Sequence, residues 1–124
     1  MQRDMDLVRK ILLAMNDDEG GSPLEIEGYT KVQIGFHVAI MAQAGLLRGI
    51  DITNHGHPQN WLPIDITWEG YEFIAKIRDE SIWNKLKKLS LEKTGGLGYE
   101  FIKAIGTRVI TDVVTTGKLP GFLD

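Results

Sequence analysis

The stretch between Thr30 and Gly45 does most to limit what this chain can fold into. Within it Ile34, Val38 and Met41 form one stripe at helical spacing, and Val32, Phe36 and Ile40 form a second. A helix with two apolar stripes is buried over much of its circumference. Thr30 is a helix-capping residue type and Gly45 is the residue expected just past a helix end, so the spacing predicts a core helix over 30–44. The next twenty residues are equally restrictive. Residues 46–52 read as a strand, the polar tract 53–60 as a loop and 61–66 as the returning strand, which makes a hairpin with a long tip. Alternation along the second strand assigns Leu62, Ile64 and Ile66 to the core face, with Pro63 and Asp65 on the solvated one.

The flanking segments obey the same logic. Met5, Val8, Ile11, Leu12 and Met15 recur at helical spacing over 4–16, and Asp4 and Asp6 stand at the end where the helix dipole favours negative charge. The charged, glycine-rich stretch 17–23 breaks that helix. Leu24, Ile26 and Gly28 alternate with Glu25 and Glu27, predicting a short edge strand. Thr67 caps a further helix carrying Tyr71, Phe73, Ile74 and Ile77 to about 79. Ser81 begins another, with Ile82, Trp83, Leu86 and Leu89 inside, Lys85, Lys87 and Lys88 outside, and Thr94, Gly95 and Gly96 at its end. From Gly98, Phe101, Ile102, Ile105, Val109 and Val113 keep near-helical spacing. The β-branched run over 107–116 leaves a strand open as the alternative to a helix there.

The order helix, short strand, helix, hairpin, helix defines an α+β chain: a winged helix-turn-helix-like core with a β-hairpin wing and additional C-terminal helices. Residues 1–80 form the core, and 81–124 a helical extension expected to pack on it within a single domain. The 30–44 helix stands in the recognition position and 53–60 in that of the wing. The element ahead of the recognition helix is extended, where the standard motif has a helix.

Composition narrows the chemistry. The 124 residues contain no cysteine, which removes disulfides, thiolate zinc sites and a cysteine nucleophile and suits a reducing cytoplasm. No apolar run approaches the roughly 18 to 20 residues of a membrane-spanning helix. The charge is uneven: residues 1–80 hold seven Lys and Arg against thirteen Asp and Glu, a net of -6, whereas 81–124 hold seven against four, a net of +3. An acidic front opposes indiscriminate DNA binding, because phosphate neutralisation supplies most of that affinity.

Several separated words of the sequence resemble one family. RDMDLVRKILL (3–13), IEGY (26–29), FHVAIMAQAGLL (36–47), WLPIDITWEGYEFIAKIRD (61–79) and IWNKLKK (82–88) occur in the order found in the bacterial and phage family called domain of unknown function 2513. The resemblance covers about residues 1–95. It implies a winged-helix-like fold and an association with phages and prophages, and it carries over no catalytic residue. Where such proteins tend to open the second helix with acidic residues, this chain has Lys31, Val32 and Gln33. A lysine at a helix start opposes the dipole, whereas a phosphate docked there would account for it as readily as drift on a solvated face.

The candidate readers of double-stranded DNA are Thr30, Lys31, Gln33 and His37 on the 30–44 helix and Asn54, His55 and His57 on the wing, all able to reach phosphate oxygens or base edges. Arginine is missing from them. His37 is equally suited to a packing role, hydrogen-bonded within the fold. His55 and His57 with Asp51 make an incomplete metal-ligand set, so no metal or other cofactor is expected. Trp61, Trp68 and Trp83 read as core or near-core packing before they read as a stacking platform for bases or an anchor for a protein partner. Lys85, Lys87, Lys88 and Lys93 read as the solvated face of an amphipathic helix before a phosphate-binding patch. Gly95, Gly96, Leu97 and Gly98 lack the Lys-Ser/Thr ending of a phosphate loop. No nucleophile with a base, carboxylate pair or metal triad has meaningful spacing, so catalysis is not expected.

Two readings stand side by side. One is a phage- or prophage-associated DNA-binding regulator. The other is a protein-recognition or self-assembling module, with a host protein as partner or a homodimer formed through the C-terminal element. The sign of the surface around Lys31 and the wing discriminates between them.

Overall fold

In the computed structural model, residues 1–18, 24–52 and 61–116 are described, apart from the side chains of Val113 and Thr116. Along these residues run α1 (Met5–Asp17), α2 (Lys31–Gln43), β1 (Leu47–Asp51), β2 (Trp61–Ile66), α3 (Trp68–Ile77), α4 (Glu80–Thr94) and α5 (Tyr99–Thr116). The chain forms two compact units, Met1–Ile74 and Ala75–Asp124, with the boundary inside α3. The first has the α+β, winged-helix-like arrangement, its wing being the β1–β2 hairpin.

In the first unit, α1 starts at Asp4, whose carboxylate accepts from the Asp6 and Leu7 N–H groups at 2.9 and 3.2 Å. Met5, Leu7, Val8, Ile11 and Leu12 are its buried face. Thr30 caps α2, as its residue type predicts. Gly45 comes after the helix with φ at 80°, a left-handed conformation in which a side chain is strained. Ile34, Gly35, His37, Val38, Ala39 and Met41 are buried on α2, the broad burial its two stripes require, although Val32 is exposed. The expected strand at Leu24, Ile26 and Gly28 does not form. Gly28 adopts φ 87°, and the Tyr29 N–H donates to the Ile26 carbonyl at 3.1 Å, closing a turn that leaves too few residues for a ladder. Among the described residues, 24–30 ahead of α2 are not the helix of a standard helix-turn-helix.

The hairpin forms, but its faces are reversed from the alternation argument. Gly49 pairs with Pro63 and Arg48 with Asp65, which leaves Ile64 as an extra residue. Such a bulge flips the parity of a strand beyond it. A carbon placed on Gly49 would lie 3.2 Å from Val38 and 3.3 Å from the Trp61 ring, so the side of β1 without a side chain is the one against α2. Trp61 and Pro63 take that inner side. Leu62 and Ile64 stay 48% and 58% exposed, and Ile66, past the bulge, returns inward and is half-buried. Period-two alternation says that two faces differ; the space over Gly49 decides which one receives the bulky ring.

Thr67 joins β2 to α3, its hydroxyl accepting from the Gly70 N–H at 3.0 Å and donating to the Gly45 carbonyl at 2.6 Å. Phe73, Ile74 and Ile77 are buried, whereas Tyr71 and Trp68 are exposed, Trp68 at 81%. The expectation that all three tryptophans pack in the core holds for Trp83, which is buried. It holds in part for the half-buried Trp61 and fails for Trp68, the first residue of α3.

In the second unit, α4 begins one residue earlier than Ser81 suggests. Asp79 is the cap, accepting from the Ile82 N–H at 2.9 Å. Trp83, Leu86 and Leu89 are buried, and Lys87 reaches back over the Trp83 ring at 5.7 Å, as an amphipathic helix disposes its lysines. Gly95 ends it in the left-handed conformation. Residues 107–116 are helical. Thr107 and Thr111 donate their hydroxyls to the carbonyls of Lys103 and Thr107 at 3.2 and 2.9 Å, which accommodates β-branched residues on a helix. No helix among the described residues is long and apolar enough to cross a membrane.

Candidate functional site

The start of α2 is the candidate nucleic-acid interface, and Thr30, Gln33 and His37 there are hydrogen-bonded within the fold, only His37 being buried. Thr30 and Gln33 form a reciprocal capping box: the Thr30 hydroxyl accepts from the Gln33 N–H at 3.1 Å, and the Gln33 amide oxygen accepts from the Thr30 N–H at 2.8 Å. His37 is 2% exposed. Its Nε2 accepts from the Asp4 backbone N–H at 2.8 Å and its Nδ1 lies 2.7 Å from the Gln33 carbonyl. An imidazole held this way cannot enter a groove, so of the two roles open to His37 the structure gives it the packing one. Lys31 is exposed. The candidate wing residues Asn54, His55 and His57 lie outside the described residues.

Beyond His37 the same bonds reach a third segment. The Tyr29 hydroxyl donates to the Asp4 carboxylate at 3.1 Å. Burial, the hydrogen bond to Asp4 and the charges of Asp4 and Asp6 hold the Tyr29 phenol above its ordinary pKa. Lys10 lies over the Tyr29 ring at 5.3 Å. Asp4, Tyr29 and His37 thus tie α1, the stretch before α2 and α2 itself together.

A cleft of about 530 Å³ opens beside this start, lined by residues 24–29 together with Lys31 and Ile34. Glu25 and Glu27 share its wall with Lys31, so the local sign around Lys31 is mixed to negative. Negative walls repel phosphate, whatever the helix dipole offers.

The apolar side chains have the opposite disposition. Ile50 and Leu62 face each other across the hairpin, on its outer side, at 47% and 48% exposure. Ile64 and Ile52 are exposed beside them. Arg48 and Asp65 flank this face as a two-bonded ion pair, Nε donating to one carboxylate oxygen at 2.6 Å and Nη2 to the other. That hydrogen-bonded pairing raises the pKa of Arg48 and lowers that of Asp65. Trp68 and Tyr71, three residues apart, make a second exposed apolar pair on α3. Sequence reasoning names Trp68 as an anchor for a protein partner only as the alternative to core packing, and it missed the hairpin face. A signal was present: Trp61, Leu62, Pro63 and Ile64 are apolar at both parities, which a strand with one wet face does not need.

Comparison with known proteins gives the family. The family model described as "Hypothetical protein (DUF2513)" matches residues 2–96. The chain belongs to the DUF2513 family. Its five sequence words all fall within the matched span. A relative similar over nearly its full length is an uncharacterized protein of Haemophilus influenzae, 29% identical over 118 residues that cover 92% of this chain and 99% of the relative. No solved structure matches the chain. Among the described residues, no group of three or more His, Asp or Glu could hold a metal ion.

Proposed function

We propose that this DUF2513 chain acts by binding, not by catalysis, and that it recognises another protein through the outer face of its hairpin. The observation that carries the reading is the exposed set Ile50, Ile52, Leu62 and Ile64 on a ribbon whose other face already packs on α2. Exposed apolar side chains clustered on one face mark interaction sites, because leaving them in water forfeits about 25 cal/mol for every Å² that could be buried. Arg48 and Asp65 cancel in charge at the border of this face. The partner is therefore one that offers an apolar surface with little net charge. A cysteine-free chain suits the cytoplasm, and the family resemblance suits a phage- or prophage-derived setting with a host protein as target.

The DNA-binding reading rests on one observation, the exposed Lys31 at the start of a helix in the recognition position. Thr30, Gln33 and His37 are engaged within the fold and Glu25 and Glu27 adjoin the lysine, so this reading stands second.

A photo-crosslinking residue placed at Leu62 tests the choice in the producing cell. The expected product is an adduct of one defined mass that is lost when Ile50→Ser and Ile64→Ser are added. Sedimentation of the purified chain tells a second copy from a foreign partner. No adduct at position 62, together with a rise in anisotropy of labelled duplex DNA at about 50 mM salt that Lys31→Glu removes, would reverse the order of the two readings.

A further inference from the structure

Two aromatic rings on the later helices are covered by the chain's own lysines, and the pair Trp68 and Tyr71 on α3 is not. On α4, Lys87 lies over the Trp83 ring at 5.7 Å, and on α5, Lys103 lies over the Tyr99 ring at 5.7 Å. In both cases the lysine stands four residues after the ring, the spacing that brings side chains together on a helix surface. The residue four after Trp68 is Glu72, and the residue four after Tyr71 is Ala75. Among the described residues no cation stands over either ring, although Trp68 is 81% and Tyr71 52% exposed.

The charges around the pair have the sign that a cation needs. Glu72 is exposed, and among the described residues it has no ion-pair partner. Glu69 adds a second carboxylate in the first turn of α3. The whole unit Met1–Ile74 holds five Lys and Arg against eleven Asp and Glu, a net of -6. The face of an aromatic ring is itself negative, so carboxylates beside it strengthen the pull on a cation and oppose an anionic occupant. Single-stranded nucleic acid stacks on aromatic pairs where basic residues track its phosphates, and none of residues 68–74 is basic. An anionic lipid surface is repelled for the same reason.

We propose that Trp68, Tyr71 and Glu72 form a docking site for an arginine-bearing basic segment of another protein. The arginine takes the place over the rings that Lys87 and Lys103 fill on their own helices. A guanidinium suits an open ring better than an ammonium does, because it stacks flat while its N–H groups reach a carboxylate in pairs. The site is separate from the hairpin face and does not rest on the reading of that face. The hairpin face is apolar and bordered by the self-cancelling Arg48 and Asp65, whereas the α3 site selects its partner by charge.

The test is a titration of the full nitrogen-15-labelled chain with a short peptide alternating Gly and Arg, followed at the indole N–H signals of Trp61, Trp68 and Trp83. The Trp68 signal is expected to shift with half-saturation at about 1 mM peptide or below, while that of the buried Trp83 stays in place. Trp68→Ala and Glu72→Lys are each expected to weaken binding at least about tenfold, read as anisotropy of the labelled peptide. Glu72→Lys sets a lysine four residues after the ring, as on α4 and α5, and so fills the site from within. Ile50→Ser with Ile64→Ser is expected to leave binding unchanged. A Trp68 signal that stays still at about 5 mM peptide overturns the proposal, and that measurement needs no variant to fold. So does an equal shift with a peptide alternating Gly and Glu or with oligothymidylate, binding that survives Trp68→Ala, or binding lost with the hairpin variant.

Discussion

The start of α2 and the outer face of the hairpin are both surface features of one small unit, and they treat their residues in opposite ways. At the helix start, side chains that could recognise a ligand are bound to the fold itself: Thr30 and Gln33 to each other's backbone, His37 to Asp4 and Gln33. On the ribbon, side chains that could have filled a core are left in solvent: Ile50, Ile52, Leu62 and Ile64. Residue type therefore does not announce role. A polar group at a helix end has unsatisfied N–H groups within reach and is drawn to them. An aliphatic group on a two-stranded ribbon has one face too many when helices cover only the other side.

If that contrast is sound, substitutions on the inner side of the hairpin should be costly for stability and those on the outer side should not. The largest effect is expected at Gly70, on α3 where it abuts the base of the hairpin, since an added Cβ would lie 1.9 Å from the backbone oxygen of Leu46 and 2.7 Å from Ile66. Gly70→Ala should cost about 3 kcal/mol, read as a lower urea midpoint, since a backbone atom must move to admit it. Gly49→Val comes next. Its first carbon already meets Val38 and the Leu62 carbonyl at 3.2 Å, and about 2 kcal/mol is expected in the same measurement. Thr30→Ala removes one half of the capping box and should cost about 1 kcal/mol, which would confirm that Thr30 acts for the helix.

The outer face supplies the contrast. Ile50→Ser with Ile64→Ser should leave the midpoint within about 0.5 kcal/mol of the parent while removing the adduct crosslinked from position 62. A large loss of stability there would show that the outer face is core after all. Smallest is Arg48→Ala. Because Arg48 holds the Asp65 carboxyl below its usual range, the pair favours the fold above the ordinary carboxylate pKa and that contribution fades as pH falls through the lowered one. Both groups are solvent-exposed, so no measurable change in midpoint is expected. An NMR titration should instead show the Asp65 carboxyl move up towards its usual value.

Much of the fold was legible because it depends on local rules. The α2 boundaries came from Thr30 and Gly45, and the α1 start from Asp4. In α5 the Thr107 and Thr111 hydroxyls bond one turn back, a detail that helical spacing permits and does not require. The candidate site was less legible. That His37 packs inward depends on the Asp4 N–H, thirty-three residues away along the chain, and no local pattern contains that distance. The parity error at Leu62 and Ile64 has a similar origin, in a bulge and in the fit of Trp61 over Gly49.

The sequence by itself determined where helices begin and end, that a hairpin comes after the central helix, and which family the chain resembles. These rest on capping, periodicity and turn chemistry acting over a few residues. Only the tertiary structure decided which face of the ribbon meets α2, whether a polar residue on α2 looks out or in, and what surface is left over for a partner. Those outcomes depend on which volumes and which hydrogen-bonding groups meet across distant segments, and on the side of the sheet against which α2 packs.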